Sequence, residues 1–319
     1  MEPSYSQKIS QRQWNQPDKG QLESQREATF MDDIIQKDHL ERQILGALKG
    51  VETVFDGGGG CGRFSIPLAR RGLRVTHFDI SQPMLDKAQE LAAQAGVLDR
   101  MTFVQGALED LSAYRDGQFD LVMSFDAPVS YTYPNQERVL GELARICKKR
   151  LLLSVSSRLG SLPYLANPLN KNQFILDPSC DDPYVQWCLE NKEALVKGFR
   201  FDKGAAERLL AQGLMGGQAE IDEYERGGAP WCITYCFLPD ELQSILERLG
   251  LREIRMSAPG AYARTVPHEI LQKLMRDPQQ KRDFLDFCFV YDQNPYVLGM
   301  GKDNLFAAAE KSTGNPAQY

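Results

Sequence analysis

The sequence predicts an α/β fold built on a doubly wound, mostly parallel β-sheet. Short β-rich segments alternate with helical segments between residues 51 and 155, a pattern typical of parallel strands joined by right-handed crossovers. A run of glycines follows the first of these segments and opens a helix. Hydrophobic residues make up 42% of the 319 residues and charged residues 25%, which is ordinary for a globular protein with a core.

Two segments precede this alternating region. Residues 1–25 are rich in Gln, Ser and Lys and predict a flexible, polar N-terminus. Residues 26–50 place apolar side chains at helical spacing and predict a helical cap. Because no apolar run resembles a signal peptide or a membrane span, we expect a cytoplasmic protein that does not bind a membrane.

The core predicted for residues 51–155 contains five strands. We expect these strands at residues 51–56, 73–79, 101–105, 119–125 and 151–155. The rhythm then breaks, and the rest of the chain divides into a lid insertion at 156–230, a core helix and strand at 231–258, a second lid insertion at 259–297, a final strand within 298–311 and a tail at 312–319.

Charge and cysteine usage exclude some classes of function. The formal net charge is −6, which disfavours extended nucleic acid as a partner and favours a small molecule. The seven cysteines form no CxxC pair and the chain has three histidines, so the sequence predicts no metal site. Nothing in the sequence determines the oligomeric state.

The glycine-rich turn at residues 57–62 is the strongest functional signal. Glycines alone indicate only a tight corner between a strand and a helix. Asp79, however, lies 17 residues beyond Gly62 at the end of the next predicted strand, where a carboxylate can accept both hydroxyls of a ribose. Asp56 precedes the glycines and suits an ammonium better than a pyrophosphate. This pair of acids favours S-adenosylmethionine (SAM) over NAD as the cofactor.

Several stretches together resemble the class I SAM-dependent methyltransferases. They are residues 54–64, 77–81, 103–111, 119–122 and 137–143. The resemblance implies a seven-stranded sheet of the class I type and SAM as the cofactor. It also implies that Asp56, Gly58, Gly60 and Gly62 line the methionine end, that Asp79 binds the ribose, that Ile80 and Met84 press on the adenine, and that Ala107 and Leu108 bracket the adenine ring.

The sequence also departs from the family pattern. Many members carry an acid where Ala107 stands, so Glu109 is either a substitute for that acid or the contact is lost. The segment after the fourth strand lacks the Glu-His pair common in members that act on small molecules.

Asp126, Tyr131 and Tyr133 follow the fourth strand and are the catalytic candidates, because ligands bind at the carboxyl edge of open α/β sheets. Asp126 could orient an amine or take a proton, and the tyrosines could hold a cation. The alternative is structural, with the tyrosines packed under a lid and Asp126 capping a helix. Arg158 and Arg264 are further candidates, for pairing with a substrate carboxylate.

The leading hypothesis is transfer of a methyl group from SAM to a small-molecule nitrogen, oxygen, sulfur or carbon nucleophile. A rival reaction would break another carbon–sulfur bond of SAM and release methylthioadenosine, by cyclisation to azetidine-2-carboxylate or by aminocarboxypropyl transfer. A non-catalytic SAM-binding regulator is a third reading, and an NAD-dependent oxidoreductase is disfavoured by Asp56.

Overall fold

The computed structural model describes residues 2–301 and 304–311. Within these residues the strands are β1 (Thr53–Gly57), β2 (Arg74–Asp79), β3 (Met101–Gln105), β4 (Phe119–Ser124), β5 (Cys147–Ser156), β6 (Leu214–Met215), β7 (Thr234–Tyr235), β8 (Leu251–Ser257) and β9 (Asn304–Lys311). Seven of them form one sheet in the order β3-β2-β1-β4-β5-β9-β8. Only β9 runs antiparallel to its neighbours β5 and β8. The predicted fold class is confirmed.

Helices cover both faces of this sheet. They are α1 (Tyr5–Trp14), α2 (Lys19–Thr29), α3 (Met31–Gly46), α4 (Ser65–Arg70), α5 (Gln82–Gln94), α6 (Gln136–Ile146), α7 (Arg158–Ser161), α8 (Pro183–Glu190), α9 (Lys192–Gly198), α10 (Lys203–Gln212), α11 (Gln218–Glu225), α12 (Pro239–Arg248), α13 (His268–Arg276) and α14 (Pro278–Tyr291). Among the described residues, no helix has both the length and the apolar character needed to cross a bilayer.

The core has one layer on each face of the sheet. On one face α6 and α12 bury residues such as Leu140 and Leu246 against Phe55 and Val122. On the other face α3 and α4 bury Leu40 and Leu68 in a second layer. Because β4 and β5 are covered on both sides, they read as nearly continuous apolar runs.

Strand β5 begins four residues earlier than the sequence predicts. Three of the four extra residues, Lys148, Lys149 and Arg150, are charged, and the sheet gives each charge a partner. Lys148 lies 3.9 Å from Asp120. Lys149 pairs with Asp120 at 2.9 Å, and Arg150 pairs with Glu310 of β9 at 3.3 Å. Because of these ion pairs, the strand includes a charged segment that looks like a connecting loop in the sequence.

The strand order reverses at β1, and this reversal locates the ligand crevice. From β1 the chain crosses to β2 and β3 on one side and then returns to β4 on the other side of β1. Connections therefore leave the carboxyl ends of β1 and β4 in opposite directions and open a crevice between them. Open α/β sheets bind their ligands at this switch point.

The N-terminal segment differs from the prediction of a flexible polar chain. Residues 5–29 form helices α1 and α2, and α1 packs on the turn at residues 128–132 and on α11. The buried face of α1 carries Ser6, Ile9, Ser10 and Gln13 at helical spacing. Because this face is mostly polar, it lacks the apolar stripe by which an amphipathic helix is recognised in a sequence.

The two insertions form a helical layer of their own. Phe174 from the first insertion and Leu271 and Phe284 from the second pack together with Met31 of α3. Within the predicted core segment at 231–258, residues 234–235 form the short strand β7, which pairs with β6 outside the main sheet. The predicted tail, 312–319, lies outside the described residues.

Replacing Ile9 tests whether α1 is part of the packed structure. Ile9 is fully buried, so Ile9→Ala should lower the free energy of unfolding by about 2–5 kcal/mol and speed tryptic cleavage after Arg12. The half-exposed Leu45 is the control, and Leu45→Ala should change stability by less than about 1 kcal/mol. Denaturant titration and limited proteolysis measure both effects. Equal cleavage rates for the two variants would contradict a packed α1.

Candidate active site

A cavity opens at the switch point, at the carboxyl ends of β1, β2 and β4. It holds about 1020 Å³ of space between protein atoms, its mouth included. The described residues that line it all lie between residues 7 and 132.

The glycine turn forms one wall of the cavity. The amides of Gly58 and Gly59 donate to the carbonyl of Phe78 at 2.7 and 3.1 Å, which fastens the turn to the end of β2. Gly60 has φ 54°, and a Cβ added there would meet no atom within 4 Å. A side chain at Gly60 would therefore project into open space, and its absence leaves the peptide bare for a ligand. Gly62 does not line the cavity and instead leads into α4.

Asp79 ends β2 in a fixed orientation. Its Oδ2 accepts from the Gly60 amide at 2.8 Å and its Oδ1 accepts from the Ser81 amide at 2.8 Å. Each carboxylate oxygen retains a lone pair for a ligand hydroxyl. Burial raises the pKa of Asp79 to about 6, although the two amide hydrogen bonds act in the opposite direction.

Asp56 lies at the end of β1 and is only 2% exposed. Burial raises the pKa of Asp56 to about 7, and the nearby charges of Asp79 and Asp126 add to this shift. The hydroxyl of Ser65 donates to Asp56 Oδ2 and lowers the pKa in part. A carboxyl with this pKa is about half ionised near neutral pH, and a cationic ligand would favour its ionised form.

Only some of the residues predicted to contact the adenine line the cavity. Ile80, Met84 and Leu108 line the cavity, whereas Ala107 does not. Glu109, two residues further on, does line it, and burial raises its pKa. Its Oε1 is buried and has no hydrogen-bond partner among the described residues. An orphaned polar atom in a cavity wall indicates a ligand group that would satisfy it.

Asp126 reaches the cavity from the turn after β4, where its φ is 65°. Its Oδ2 accepts from Arg26 at 3.0 Å and from Arg63 at 3.2 Å. Its Oδ1 is buried without a hydrogen-bond partner among the residues described. A left-handed non-glycine residue costs energy and is often found at functional sites.

The two candidate tyrosines separate in the structure. Tyr131 lines the cavity, with its ring 6.3 Å from that of Trp14. Tyr133 does not line it, because its ring stacks on Tyr235 at 6.2 Å and an interplanar angle of 6°. For Tyr133 the packing alternative therefore fits the geometry better than a catalytic role.

The cover of the cavity is a feature that sequence reasoning missed. Helices α1 and α2 supply Gln7, Ser10, Trp14, Glu23 and Arg26 to its wall. The two predicted lid insertions supply none of its described lining. Of the signals in the sequence, only the single Trp14 within a polar segment pointed to this packing.

Arg158 and Arg264, the two arginines predicted as partners for a substrate carboxylate, form hydrogen bonds with other groups of the protein. Arg158 donates to Glu241 at 2.8 Å and to the carbonyl of Cys236 at 3.1 Å. Arg264 donates to the carbonyls of Gly160 and Gly301 at 2.8 and 2.9 Å. Neither lines the cavity; the arginines that do are Arg26 and Arg63.

Comparison with known protein families bears on this cavity directly. The model of the methyltransferase domain family matches residues 54–150, which include β1 to β4, the glycine turn and both acids. This match assigns residues 54–150 to the methyltransferase domain family. SAM is therefore the cofactor of this domain, in agreement with the two acids on the glycine turn.

Relatives of the methyltransferase domain act on chemically different acceptors. The chain is 37% identical over 70 residues to the tRNA 5-carboxymethoxyuridine methyltransferase of Escherichia coli, a match covering 22% of this chain and 27% of the relative. It is 32% identical over 121 residues to the magnesium-protoporphyrin O-methyltransferase of Synechocystis, covering 38% and 50%. The chain thus matches between about a quarter and half of the length of these relatives.

A solved structure of the Synechocystis magnesium protoporphyrin IX methyltransferase with bound SAM aligns over 98% of this chain and 100% of that chain. The TM-score is 0.46 and the identity 15%.

Removing the charge of Asp79 should weaken cofactor binding. We expect Asp79→Asn to reduce the affinity for S-adenosylhomocysteine by about 1–3 kcal/mol, because buried ligand hydroxyls lose a charged acceptor. Asp99→Asn, on the exposed surface, is the control and should leave the affinity unchanged. Titration calorimetry measures both variants. An unchanged affinity for Asp79→Asn would disprove the ribose assignment.

The raised pKa of Asp56 predicts a pH dependence of cofactor binding. The groups facing it are Ser65, His77, Asp79 and Asp126. Its carboxyl is ionised above its pKa of about 7 and protonated below it, and a ligand ammonium prefers the ionised form. Affinity for S-adenosylhomocysteine should therefore fall as pH drops through 7, approaching about tenfold per pH unit.

Calorimetry from pH 8 to pH 5.5 measures this profile, and Asp56→Asn is its control. The variant should bind more weakly at pH 8 and lose the part of the profile near pH 7. A constant affinity between pH 8 and pH 6 in the unaltered chain would contradict an ion pair at Asp56.

Proposed function

We propose that this protein transfers a methyl group from SAM to a small-molecule nucleophile and releases S-adenosylhomocysteine. The observation that carries the proposal is a single cavity in which the glycine turn and its two acids face an aromatic wall roofed by α1 and α2. When bound, SAM supplies a sulfonium whose methyl group an aligned nucleophile takes with little acid–base assistance. The protein's part is to bind, align and exclude water.

The wall of the cavity suits the three parts of SAM. The bare peptide of Gly60 and the buried carboxyl of Asp56 would hold the amino-acid end, and Asp79 would accept the ribose hydroxyls. Ile80 and Met84 would contact the adenine, and the orphaned Oε1 of Glu109 would accept from its amino group. Glu109 thereby replaces the acid that many relatives carry at the position of Ala107.

The remaining wall would receive the acceptor. Trp14 and Tyr131 lie with their rings 6.3 Å apart, and both line the cavity. Aromatic faces stabilise a nearby cation such as a sulfonium or ammonium. Asp126 contributes the unpaired Oδ1, so it would orient a donor group of the acceptor, such as an amine or a hydroxyl.

The roof over this wall favours a small acceptor. Arg26 of α2 holds Asp126 at 3.0 Å, and the Cys61 thiol donates to the carbonyl of Gly20 at 3.1 Å. The Ser81 hydroxyl donates to the carbonyl of Trp14 at 2.8 Å. These contacts fasten both helices across the cavity, so a macromolecular acceptor would have to displace them, whereas a small molecule needs only an opening at the mouth.

The test is to identify the nucleoside product. The full chain is incubated with SAM alone and with amine, thiol, hydroxyl and tRNA acceptors. We expect S-adenosylhomocysteine, formed only when a small-molecule acceptor is present. Methylthioadenosine formed without acceptor would overturn methyl transfer, and turnover with tRNA alone would overturn the small-molecule class.

Replacing Trp14 distinguishes the acceptor wall from the cofactor wall. Trp14→Leu should raise the KM for the acceptor by about tenfold and change the KM for SAM less, because the lost aromatic face belongs to the acceptor end. Trp187→Leu is the matched control, since this half-exposed tryptophan of α8 lies outside the cavity. Steady-state kinetics measures both constants. Equal effects of the two substitutions would contradict the assignment of Trp14.

A further inference from the structure

A continuous series of polar contacts at hydrogen-bonding distance runs beneath the glycine turn and joins its two acids. Ser65, the first residue of α4, contacts Asp56 Oδ2 through its hydroxyl. The same hydroxyl lies 2.8 Å from His77 Nδ1. His77 Nε2 lies 2.9 Å from the carbonyl oxygen of Gly60, and the Gly60 amide donates to Asp79.

The geometry fixes the tautomer of His77. A carbonyl oxygen only accepts hydrogen bonds, so the Nε2 hydrogen of His77 is directed at Gly60. Nδ1 then carries the lone pair that faces Ser65, and because the Ser65 hydroxyl has a single hydrogen, it donates either to Asp56 or to His77. Because burial lowers the pKa of His77 to about 4, the imidazole is neutral near pH 7 and does not serve as a charge in the site. The imidazole acts through the direction of its hydrogen bond to Gly60 and not through a charge.

Gly59 shows how closely the turn is fitted to this imidazole. A Cβ on Gly59 would lie 2.4 Å from His77 Cε1 and 2.5 Å from its Nδ1. The backbone of Gly59 is not in the left-handed region, so the need for glycine here is steric. The imidazole and the turn therefore pack as one unit.

We infer that Ser65 and His77 are positioning residues of the cofactor site, each serving a different end of the ligand. Ser65 orients the carboxyl of Asp56 toward the amino-acid part. His77 fixes the Gly60 peptide, whose amide in turn holds Asp79 toward the ribose. This inference rests on the proposed function, because it concerns the same cofactor site.

The two roles predict different responses to ligands of different composition. S-Adenosylhomocysteine carries both the ribose and the amino-acid part, whereas methylthioadenosine has no amino-acid part. Ser65→Ala should reduce the affinity for S-adenosylhomocysteine by about tenfold and change the affinity for methylthioadenosine by no more than about twofold. His77→Leu should reduce the affinity for both ligands by about tenfold, because the Gly60 peptide, which holds Asp79, loses its hydrogen bond to His77.

A conservative variant separates positioning from general loss of structure. His77→Gln retains an amide donor that reaches the Gly60 carbonyl, so it should recover most of the affinity for methylthioadenosine that His77→Leu loses. Ser112→Ala and His268→Leu are matched controls outside the cavity and should leave both ligands unaffected. Titration calorimetry gives the affinities, and thermal unfolding shows that each variant is folded.

The outcomes distinguish this inference from the proposed function. Equal loss of both ligands in Ser65→Ala, no loss in His77→Leu, or no recovery in His77→Gln would overturn the inference and leave methyl transfer intact. Ligand binding with the expected pattern but no methylated product would overturn the proposed function alone. Failure of the unaltered chain to bind S-adenosylhomocysteine would overturn both.

Discussion

The site depends on how the glycine turn closes against the end of β2. The amides of Gly58 and Gly59 donate to the carbonyl of Phe78, and the amide of Gly60 donates to Asp79. These bonds satisfy backbone groups that the end of β1 leaves without strand partners. They also bring Asp56 and Asp79, which lie on neighbouring strands, to one wall. The cavity is thus a consequence of a hydrogen-bonding requirement of the backbone.

A charge network extends this wall to the N-terminal helices. Arg26 of α2 contacts Asp33 and Asp126 at 2.6 and 3.0 Å, and Arg63 contacts Glu27 and Asp126 at 2.8 and 3.2 Å. The network crosses from the helical cap to the turn after β4. Because these ion pairs are partly shielded from water, removing one charge of a pair leaves the other charge unpaired and destabilises the structure. These ion pairs fasten α2, one of the two helices that cover the cavity.

The insertions pack differently from the lids that the sequence predicted, because they supply none of the described lining of the cavity. Their residues bury one another and α3, and Tyr262 packs against Phe284 and Phe287. Trp231, which follows the first insertion, packs against Trp14 with ring centroids 5.8 Å apart. This helical layer therefore packs on α3, outside the cofactor wall.

The sequence by itself determined the central fold and the cofactor. Strand periodicity, the glycine turn and the spacing of Asp56 and Asp79 are local patterns, and the hydrogen bonds they serve form between adjacent strands. Only the tertiary structure decided what covers the cavity and which polar groups reach it. The buried face of α1 is mostly polar, so the sequence of α1 carries no apolar pattern that would have predicted its burial. Tyr133 and Ala107 likewise looked equivalent to Tyr131 and Leu108 in sequence, and only packing separated them, because neighbouring residues of a turn point in different directions.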